Sequence, residues 1–246
     1  MRLSKTYTVA KYIILSSRNW IYVGLGFTLM FPILWLTLLK IVGNPQYMSY
    51  FIAGTVVNTS FLIPFLGTSQ DLAYFRRGSA IYTILFSNGA DHWDIALGYI
   101  TQLIVLNLPS IVSLLIISIL IIGVSYGLVQ VLATIATAVF ISLSSALLGY
   151  ALAMGVKNYR IVNQASQVIP WPLLLLAPVY YPITILPPAL RYVSLALPTT
   201  YMALAINGSL SLNQVELIRG LLGLLVYSSA SILIARYAVI RGEVNG

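Results

Sequence analysis

Long apolar runs separated by short polar interruptions dominate the chain. Each run is near the length of about 20 residues that a helix needs to cross a membrane. These runs cover residues 20–42, 48–68, 95–124, 128–156, 161–181 and 218–238. The third and fourth runs are linked only by residues 125–127, which predicts a tight helical hairpin. The pattern predicts an all-α polytopic membrane protein in which six transmembrane helices form a single domain.

Residues 1–19 precede the first run and carry four cations but no acid. At 100° per residue, Leu3, Tyr7, Ala10 and Ile14 fall on one helical face, as expected for a helix that lies in the membrane interface. A signal peptide is the alternative. However, no small-residue cleavage site follows, and the apolar run continues to spanning length. We therefore expect an uncleaved interfacial helix.

The longest polar interruption covers residues 71–94 and contains Arg76, Arg77, three of the five acids and the only histidine. Its middle, residues 79–86, is apolar but too short to cross a bilayer. A charged segment must lie in water or against another protein. We interpret residues 71–94 as a docking segment that faces a partner. An ordinary loop that carries a surface-lying helix is the alternative.

Asp91, His92 and Asp94 stand together at the end of this segment. Asp91 and Asp94 have the spacing of a capping box, which predicts that the next helix starts at His92 or Trp93. A metal or acid–base site is the competing interpretation. Three ligands within four residues at a helix start rarely converge on one ion, and no second histidine exists to complete a set. We expect no metal and no catalysis there.

Prolines interrupt the region between the fifth and sixth runs. Their missing N–H groups make one straight helix through residues 161–197 untenable. They stand at positions 170, 172, 178, 182, 187, 188 and 198. Because the region is nevertheless apolar, residues 182–201 are predicted to form a re-entrant hairpin of two short helices buried in protein.

Composition agrees with a membrane protein, since 59% of the residues are hydrophobic, only 7% are charged, and the mean hydropathy is +0.93. Soluble domains contain about 25% charged residues. The net charge of +8 could indicate nucleic-acid binding, but the cations are scattered between apolar runs. Membrane topology explains them better, because ten of the 13 cations fall in segments on the side of the N-terminus. The other three are Lys40, Arg191 and Arg219. Both termini and residues 71–94 are thus predicted to be cytoplasmic.

Three classes of chemistry are disfavoured. No acid lies within a predicted span, which counts against a secondary transporter that drives itself with protons or sodium ions. The chain has no cysteine and hence no thiolate site. Nothing matches the phosphate-binding pattern G-x-x-x-x-G-K-[ST], so this chain is not expected to bind ATP in that manner.

Two stretches resemble ABC-2 type permeases. The run FRRGSAIYTILFSNGADHWDIALG, residues 75–98, is similar to the family's loop between the second and third spans. The run PVYYPITILPPALRYVSLALPTTY, residues 178–201, is similar to the proline-punctuated region before the last span, which a Pro-x-x-Tyr closes. Here that closing motif runs from Pro198 to Tyr201. The hairpin residues carried over are Pro182, Pro187, Pro188, Pro198 and Tyr201.

The resemblance implies a membrane subunit of an ATP-binding-cassette exporter in the cell (plasma) membrane. Such subunits pair as a homodimer or heterodimer, with two separately encoded ATPase subunits that hold ATP and Mg²⁺. No cofactor is expected on this chain. The resemblance assigns ATPase docking to Arg76, Arg77, Ile81, Ile84, Leu85 and Phe86.

The translocation path of such a subunit is expected to be apolar with hydroxyls and amides. Its candidate residues are Thr55, Asn58, Thr59, Gln164, Gln167, Tyr180 and Tyr181. Polar contacts between helices of one subunit are the alternative role for each. Without a buried charge, an amphiphilic or hydrophobic substrate is favoured over a strongly ionic one.

A membrane anchor that recruits a cytoplasmic factor through residues 71–94 and transports nothing is the rival interpretation. A channel and a membrane-embedded transferase are poorer alternatives. Anchoring alone does not need an irregular, proline-rich backbone at membrane depth, which is expensive unless it is buried or lines a cavity. This feature favours transport.

Overall fold

The computed structural model describes residues 33–76 and 80–244, together with residues 9, 11, 26 and 30. All regular elements in these ranges are helical, which confirms the all-α class. The helices are α1 (Ile33–Val42), α2 (Met48–Phe75), α3 (Ala80–Ser87), α4 (His92–Ile117), α5 (Leu128–Gly155), α6 (Tyr159–Val168), α7 (Pro170–Leu176), α8 (Pro188–Leu195), α9 (Pro198–Ser211) and α10 (Gln214–Val244). Pro45–Tyr47 and Ile183–Ile185 form 3-10 turns, and Ser118–Ile122 extends α4 as a π-helical turn.

Four of these helical stretches are long and apolar enough to cross a membrane, and a fifth is counted if the bent pair α8 and α9 forms one span. The four are Pro45–Phe75, His92–Ile122, Leu128–Gly155 and Gln214–Arg241. The prediction of six spans is thus not confirmed. The predicted interfacial helix, residues 1–19, lies outside the described residues except at positions 9 and 11, and the predicted first span is described mainly from Ile33 onward.

The structure confirms the predicted start of α4. Asp91 Oδ1 accepts a hydrogen bond from the Asp94 backbone N–H at 2.7 Å, and Asp94 Oδ2 accepts one from the Asp91 N–H at 3.2 Å. Both carboxylates therefore act as a capping box. At its other end α4 passes through the π-helical turn to Gly123, which has a φ of 80°. The connection to α5 covers residues 123–127, slightly longer than predicted.

Helix α2 runs to Phe75, well beyond the predicted limit at residue 68, so the first residues of the predicted docking segment are part of it. Polar side chains near its end bond to three other helices. Gln70 donates to Ser166 of α6 at 3.0 Å, and Asp71 accepts a hydrogen bond from the Tyr99 hydroxyl of α4. Arg76, which follows the last turn, donates to α5. The polar residues that suggested a loop are thus tertiary contacts of a continuing helix.

The predicted span over residues 161–181 is not one helix. Helix α6 starts earlier, at Tyr159, and Pro170 begins a separate short helix, α7. Proline lacks the N–H that would continue the hydrogen-bond ladder, which explains this boundary. Beyond Leu176 the chain becomes irregular and reaches the 3-10 turn at Ile183.

Helix α2 is the centre of the bundle, and it packs along α5, α4, α6 and α9, while α10 packs on α9 and α5. Small residues permit the close contacts. A Cβ at Gly149 of α5 would lie 2.6 Å from the Phe65 carbonyl oxygen of α2, and a Cβ at Gly220 would lie 2.7 Å from Ala205 Cα. Glycine at such crossings lets backbones approach, as is common between membrane helices. One apolar cluster surrounds Phe61, and a second surrounds Tyr150 nearer to α3.

Candidate functional site

The bundle has two ends, which we name by their helices. The α3 end contains α3, the last turn of α2 and the start of α6. The α9–α10 end contains the junction of α9 with α10 and the connection between α4 and α5. The predicted docking residues that the structure describes lie at the α3 end, and the residues of the predicted hairpin lie toward the α9–α10 end.

Helix α3 presents different faces to solvent and to the bundle. Ile84 is 48% exposed, whereas Leu85 packs against the apolar cluster around Tyr150. The Ser87 hydroxyl and the Asn88 amide both donate to the Ile84 carbonyl, at 3.0 and 2.7 Å, and so end the helix. Among the predicted docking residues, the side chains of Ile81 and Phe86 and the whole of Arg77 lie outside the described part of the chain. Among the docking residues whose side chains the structure describes, Ile84 is the apolar one that is exposed to a partner.

Arg76 connects two helices of its own subunit. Its Nη1 donates to the carbonyl oxygens of Ala153 at 2.7 Å and Met154 at 3.3 Å, in the last turn of α5. A guanidinium at a helix C-terminus satisfies open carbonyls and opposes the negative end of the helix dipole. The structure therefore gives Arg76 a structural role in addition to any contact with a partner.

The candidate path residues of α2 lie inside the subunit. Thr55, Asn58 and Thr59 are all buried. The Thr55 hydroxyl bonds to a carbonyl of its own helix, and the Thr59 carbonyl accepts a hydrogen bond from the Asn107 amide at 3.3 Å. The Asn58 side chain lies beside the Tyr180 hydroxyl, and its Oδ1 has no hydrogen-bond partner among the described residues. Within the described part of the chain, only Thr59 of these three residues takes part in a hydrogen bond between helices, and it does so through its backbone carbonyl.

The two candidate glutamines of α6 are exposed. Gln164 lies on the open face of the helix, and the Gln167 amide donates to Asn163 one turn earlier, at 3.1 Å. The structure therefore does not place them together with the buried residues of α2.

Tyr180 and Tyr181 diverge although they are adjacent. Trp35 Nε1 donates to the Tyr180 hydroxyl at 3.1 Å, and the two rings meet edge to face at 6.2 Å between centroids. Tyr180 therefore ties the chain after α7 to α1 and α2. The Tyr181 hydroxyl instead donates to the Leu175 carbonyl at 2.6 Å.

Prolines set the boundaries of the predicted hairpin. Pro182 precedes the 3-10 turn, Pro188 is the first residue of α8 after an extended Pro187, and Pro198 is the first residue of α9. The axes of α8 and α9 differ by 87°. The Tyr201 hydroxyl of α9 donates to the Leu195 carbonyl of α8 at 2.9 Å, which links the two helices across their junction.

Neighbouring helices hold this bent pair in place. The Tyr227 hydroxyl of α10 donates to the Ala196 carbonyl at 2.6 Å, and the Thr199 hydroxyl donates to the Leu173 carbonyl of α7. Arg191 donates from Nε to the Leu186 carbonyl at 2.7 Å and from Nη2 to the Thr184 carbonyl at 2.6 Å. An arginine thus satisfies two carbonyls that the irregular backbone leaves open.

A cavity of about 690 Å³ opens at the α9–α10 end. We call it the outer cavity. Its apolar wall includes Ile52, Ala203 and Leu204, and its polar lining includes Tyr126, Gln130, Tyr181, Asn207, Glu216 and Arg219. Burial raises the pKa of the Tyr126 phenol, so this hydroxyl stays protonated and able to donate. Apart from Tyr181, sequence reasoning missed these residues, because they come from four separate segments and share no motif.

A second cavity, of about 570 Å³, lies at the α3 end between α2, α5 and α6. We call it the basic cavity. Arg76, Lys157 and Arg160 line it together with Asn158. The sequence identified Arg76 as a docking residue and the other two cations only through the topology that they indicate. Their convergence could not be predicted, because it requires α2 and α5 to end side by side.

A bundle with four membrane-length apolar helices defines a multi-pass membrane protein. The profile of the ABC-2 type transporter family matches residues 6–210, and the chain therefore belongs to this family. It is a membrane permease component of an ABC transporter, which confirms the resemblance noted in the sequence. The family implies operation with an ABC ATP-binding subunit. No curated protein sequence matches the chain.

Proposed function

We propose that the chain is the permease subunit of an ABC exporter that moves an amphiphilic or hydrophobic substrate with ATP hydrolysed by a separate subunit. Family membership over residues 6–210 is the observation that carries the proposal. In the proposed assembly two permease subunits, identical or different, stand above two ATPase subunits, which bind ATP and Mg²⁺. The permease chain itself supplies the path and the mechanical coupling.

Helix α3 is the proposed contact with the ATPase. It is short, lies between two membrane-length helices, and exposes Ile84, an apolar side chain that water does not favour. The adjacent Leu85 points to another face of α3 and packs against the bundle, so a force on α3 is transmitted to α2 and α4 through packing as well as through the chain. Closure of the ATPase dimer would then tilt these helices as a rigid body and open a path between permease subunits.

The bent pair α8 and α9 is the proposed re-entrant hairpin. Tyr227, which bonds to Ala196 between the two helices, lies about 20 Å along α10 from Gln214. By contrast, the far end of α9 lies beside the start of α5, where Gln130 donates to the Leu210 carbonyl at 2.7 Å. These contacts support the proposal that the chain enters the bundle along α8 and leaves it again along α9. We infer that it closes the outer side of the path.

The lining of the outer cavity supports the proposal of an amphiphilic substrate. Hydroxyl and amide groups from Tyr126, Tyr181 and Asn207 face apolar residues of α2 and α9 across the same space. Such a lining suits a molecule with a polar head and an apolar body. One carboxylate and one guanidinium, from Glu216 and Arg219, balance in charge and so favour no strongly ionic ligand.

The proposed orientation places both chain termini and the α3 end in the cytoplasm, and the α9–α10 end outside the cell membrane. The cation distribution along the sequence supports this assignment.

Co-purification from native membranes tests the proposal. Tagged permease extracted in mild detergent should carry an ATP-binding-cassette ATPase, identified by mass spectrometry. The purified complex, reconstituted in vesicles, should move an amphiphilic substrate only when ATP is supplied. Recovery of a stable partner that lacks an ATPase would instead support the rival function, a membrane anchor that recruits a cytoplasmic factor.

A further inference from the structure

We propose that the basic cavity binds the phosphate of an anionic lipid headgroup. The cavity lies where α2 and α5 end and α6 begins, at one end of the membrane-crossing helices. This inference does not depend on the proposed transport activity or on the ATPase partner. It requires only that the chain spans a membrane.

The charge of the lining is of one sign. Arg76, Lys157 and Arg160 contribute cations, and none of the residues that line the cavity is acidic. Asp71, five residues before Arg76, accepts a hydrogen bond from the Tyr99 hydroxyl of α4. Three cations around one cavity repel each other unless an anion joins them, and the repulsion is stronger near the membrane than in open water. An anionic ligand is therefore the simplest way to complete the site.

Arg76 is held in position before any ligand arrives. Its Nη1 is fixed by the carbonyl oxygens of Ala153 and Met154, at 2.7 and 3.3 Å. The bonds leave the donors of Nε and Nη2 for a ligand. A guanidinium whose position is already fixed loses little entropy on binding, and its planar donors suit two phosphate oxygens at once.

The start of α6 adds favourable electrostatics to the same cavity. Asn158 is the N-cap, and its side chain accepts the Arg160 N–H at 3.0 Å. The helix dipole places partial positive charge at this first turn. Together with the three side-chain cations, this partial charge favours an anion in the cavity.

A lipid fits the location and the size better than a small ion. Basic pockets between membrane helices at the interface are suited to anionic headgroups, because the acyl chains can remain in the bilayer while the phosphate enters the pocket. At about 570 Å³ the cavity also has room for a headgroup beyond the phosphate itself.

Native mass spectrometry of the full chain in detergent tests the proposal. The probes are phosphatidylglycerol, phosphatidylcholine and inorganic phosphate, each titrated separately and in competition. The variant is Lys157→Gln with Arg160→Gln, two exposed side chains whose loss leaves the Arg76 bridge intact. The control is Arg236→Gln with Arg241→Gln, which removes the same charge from exposed positions on α10.

Phosphatidylglycerol should bind the unchanged chain saturably and at least tenfold more tightly than phosphatidylcholine. Each cation near an anionic headgroup is worth about fivefold in affinity, so the double variant should bind roughly thirtyfold more weakly. The control should stay within about twofold. If the double variant aggregates, Lys157→Gln alone should still give about a fivefold loss.

Three results would overturn the proposal. Equal phosphatidylglycerol binding by the double variant and the control would show that the cavity is not the site. Competition by inorganic phosphate at equal concentration would identify a free-phosphate site instead of a lipid site. Unchanged lipid binding combined with loss of a co-purifying ATPase in the double variant would assign these cations to contact with that partner.

Discussion

Tyr180 lies against Gly54 of α2 so closely that a Cβ at position 54 would come within 2.7 Å of Tyr180 Cε1. The same Cβ would lie 2.8 Å from the Val179 carbonyl oxygen, which is backbone and cannot rotate away. The irregular chain after α7 is therefore seated on α2 at a position that only glycine permits. Trp35 fixes the other side of Tyr180 through its indole N–H.

Gly54→Ala should displace the segment around Val179 and Tyr180. Overpacking of this kind costs about 1–3 kcal/mol, so the midpoint of thermal unfolding in detergent should fall. The matched control is Gly155→Ala, because a Cβ there meets nothing within 4 Å. Equal midpoints for both variants would show that this contact is not a constraint on the fold.

Ile84→Asp and Leu85→Asp should fail in different ways. Ile84 is exposed, so its variant should fold and insert normally but lose the ATPase on co-purification. Leu85 packs on the subunit's own core, so a carboxylate there should lower the stability of the permease by about 3 kcal/mol. Unfolding midpoints and co-purification yields measure the two effects separately.

Ile84→Leu and Asn88→Asp are the controls for this pair. The first keeps an apolar side chain at position 84, and the second adds a carboxylate at an exposed position just beyond α3. Both should retain the ATPase. Retention of the ATPase by Ile84→Asp as well would remove α3 as the docking element.

Cysteine labelling should place the two ends of the bundle on opposite sides of the membrane. The chain has no cysteine, so Asn88→Cys and Ser211→Cys each create a single thiol at an exposed position. An impermeant maleimide added to intact cells should label position 211 and spare position 88 until the membrane is opened. Labelling of position 88 from outside would reverse the proposed orientation.

Pro187→Ala with Pro188→Ala should uncouple ATP hydrolysis from export. The prolines separate the 3-10 turn from α8. Without them, the 3-10 turn and α8 can merge into one helix, which would shift Tyr180 and Tyr181. Expression and ATPase binding should persist, because α3 lies at the other end of the bundle. The control is Pro172→Ala, at an exposed position in α7. Export at the parental rate would mean that the hairpin serves packing alone.

Local sequence signals predicted the parts of the fold that depend on near neighbours. The Asp91–Asp94 spacing identified the start of α4, because a capping box acts within a few residues. The prolines excluded one straight helix through residues 161–197, but the predicted span over residues 161–181 missed the helix start at Pro170. The hydrophobic runs identified the long helices, because the length and apolar character of a run are local properties of the sequence as well.

Tertiary contacts explain what the sequence could not show. Gln70 and Asp71 look like loop residues but bond to α6 and α4, so α2 continues through them. Thr55, Asn58 and Thr59 have path-like chemistry but are buried inside the subunit, where Tyr180 of the chain after α7 lies beside Asn58, and Asn107 of α4 bonds to Thr59. The spacing of residues within one helix cannot reveal which segment lies on top of it.

Cross-linking from Ile84 tests directly whether α3 docks an ATP-binding-cassette ATPase. Ile84→Cys supplies a single thiol on the exposed face of α3, and a short bifunctional reagent applied to opened native membranes captures whatever rests on it. We expect one main adduct, composed of this chain and an ATP-binding-cassette ATPase. It should form less when excess purified ATPase that lacks accessible cysteines is added to the Ile84→Cys membranes. An adduct with a protein that binds no ATP, or no adduct beyond a second permease chain, would show that α3 does not dock the ATPase.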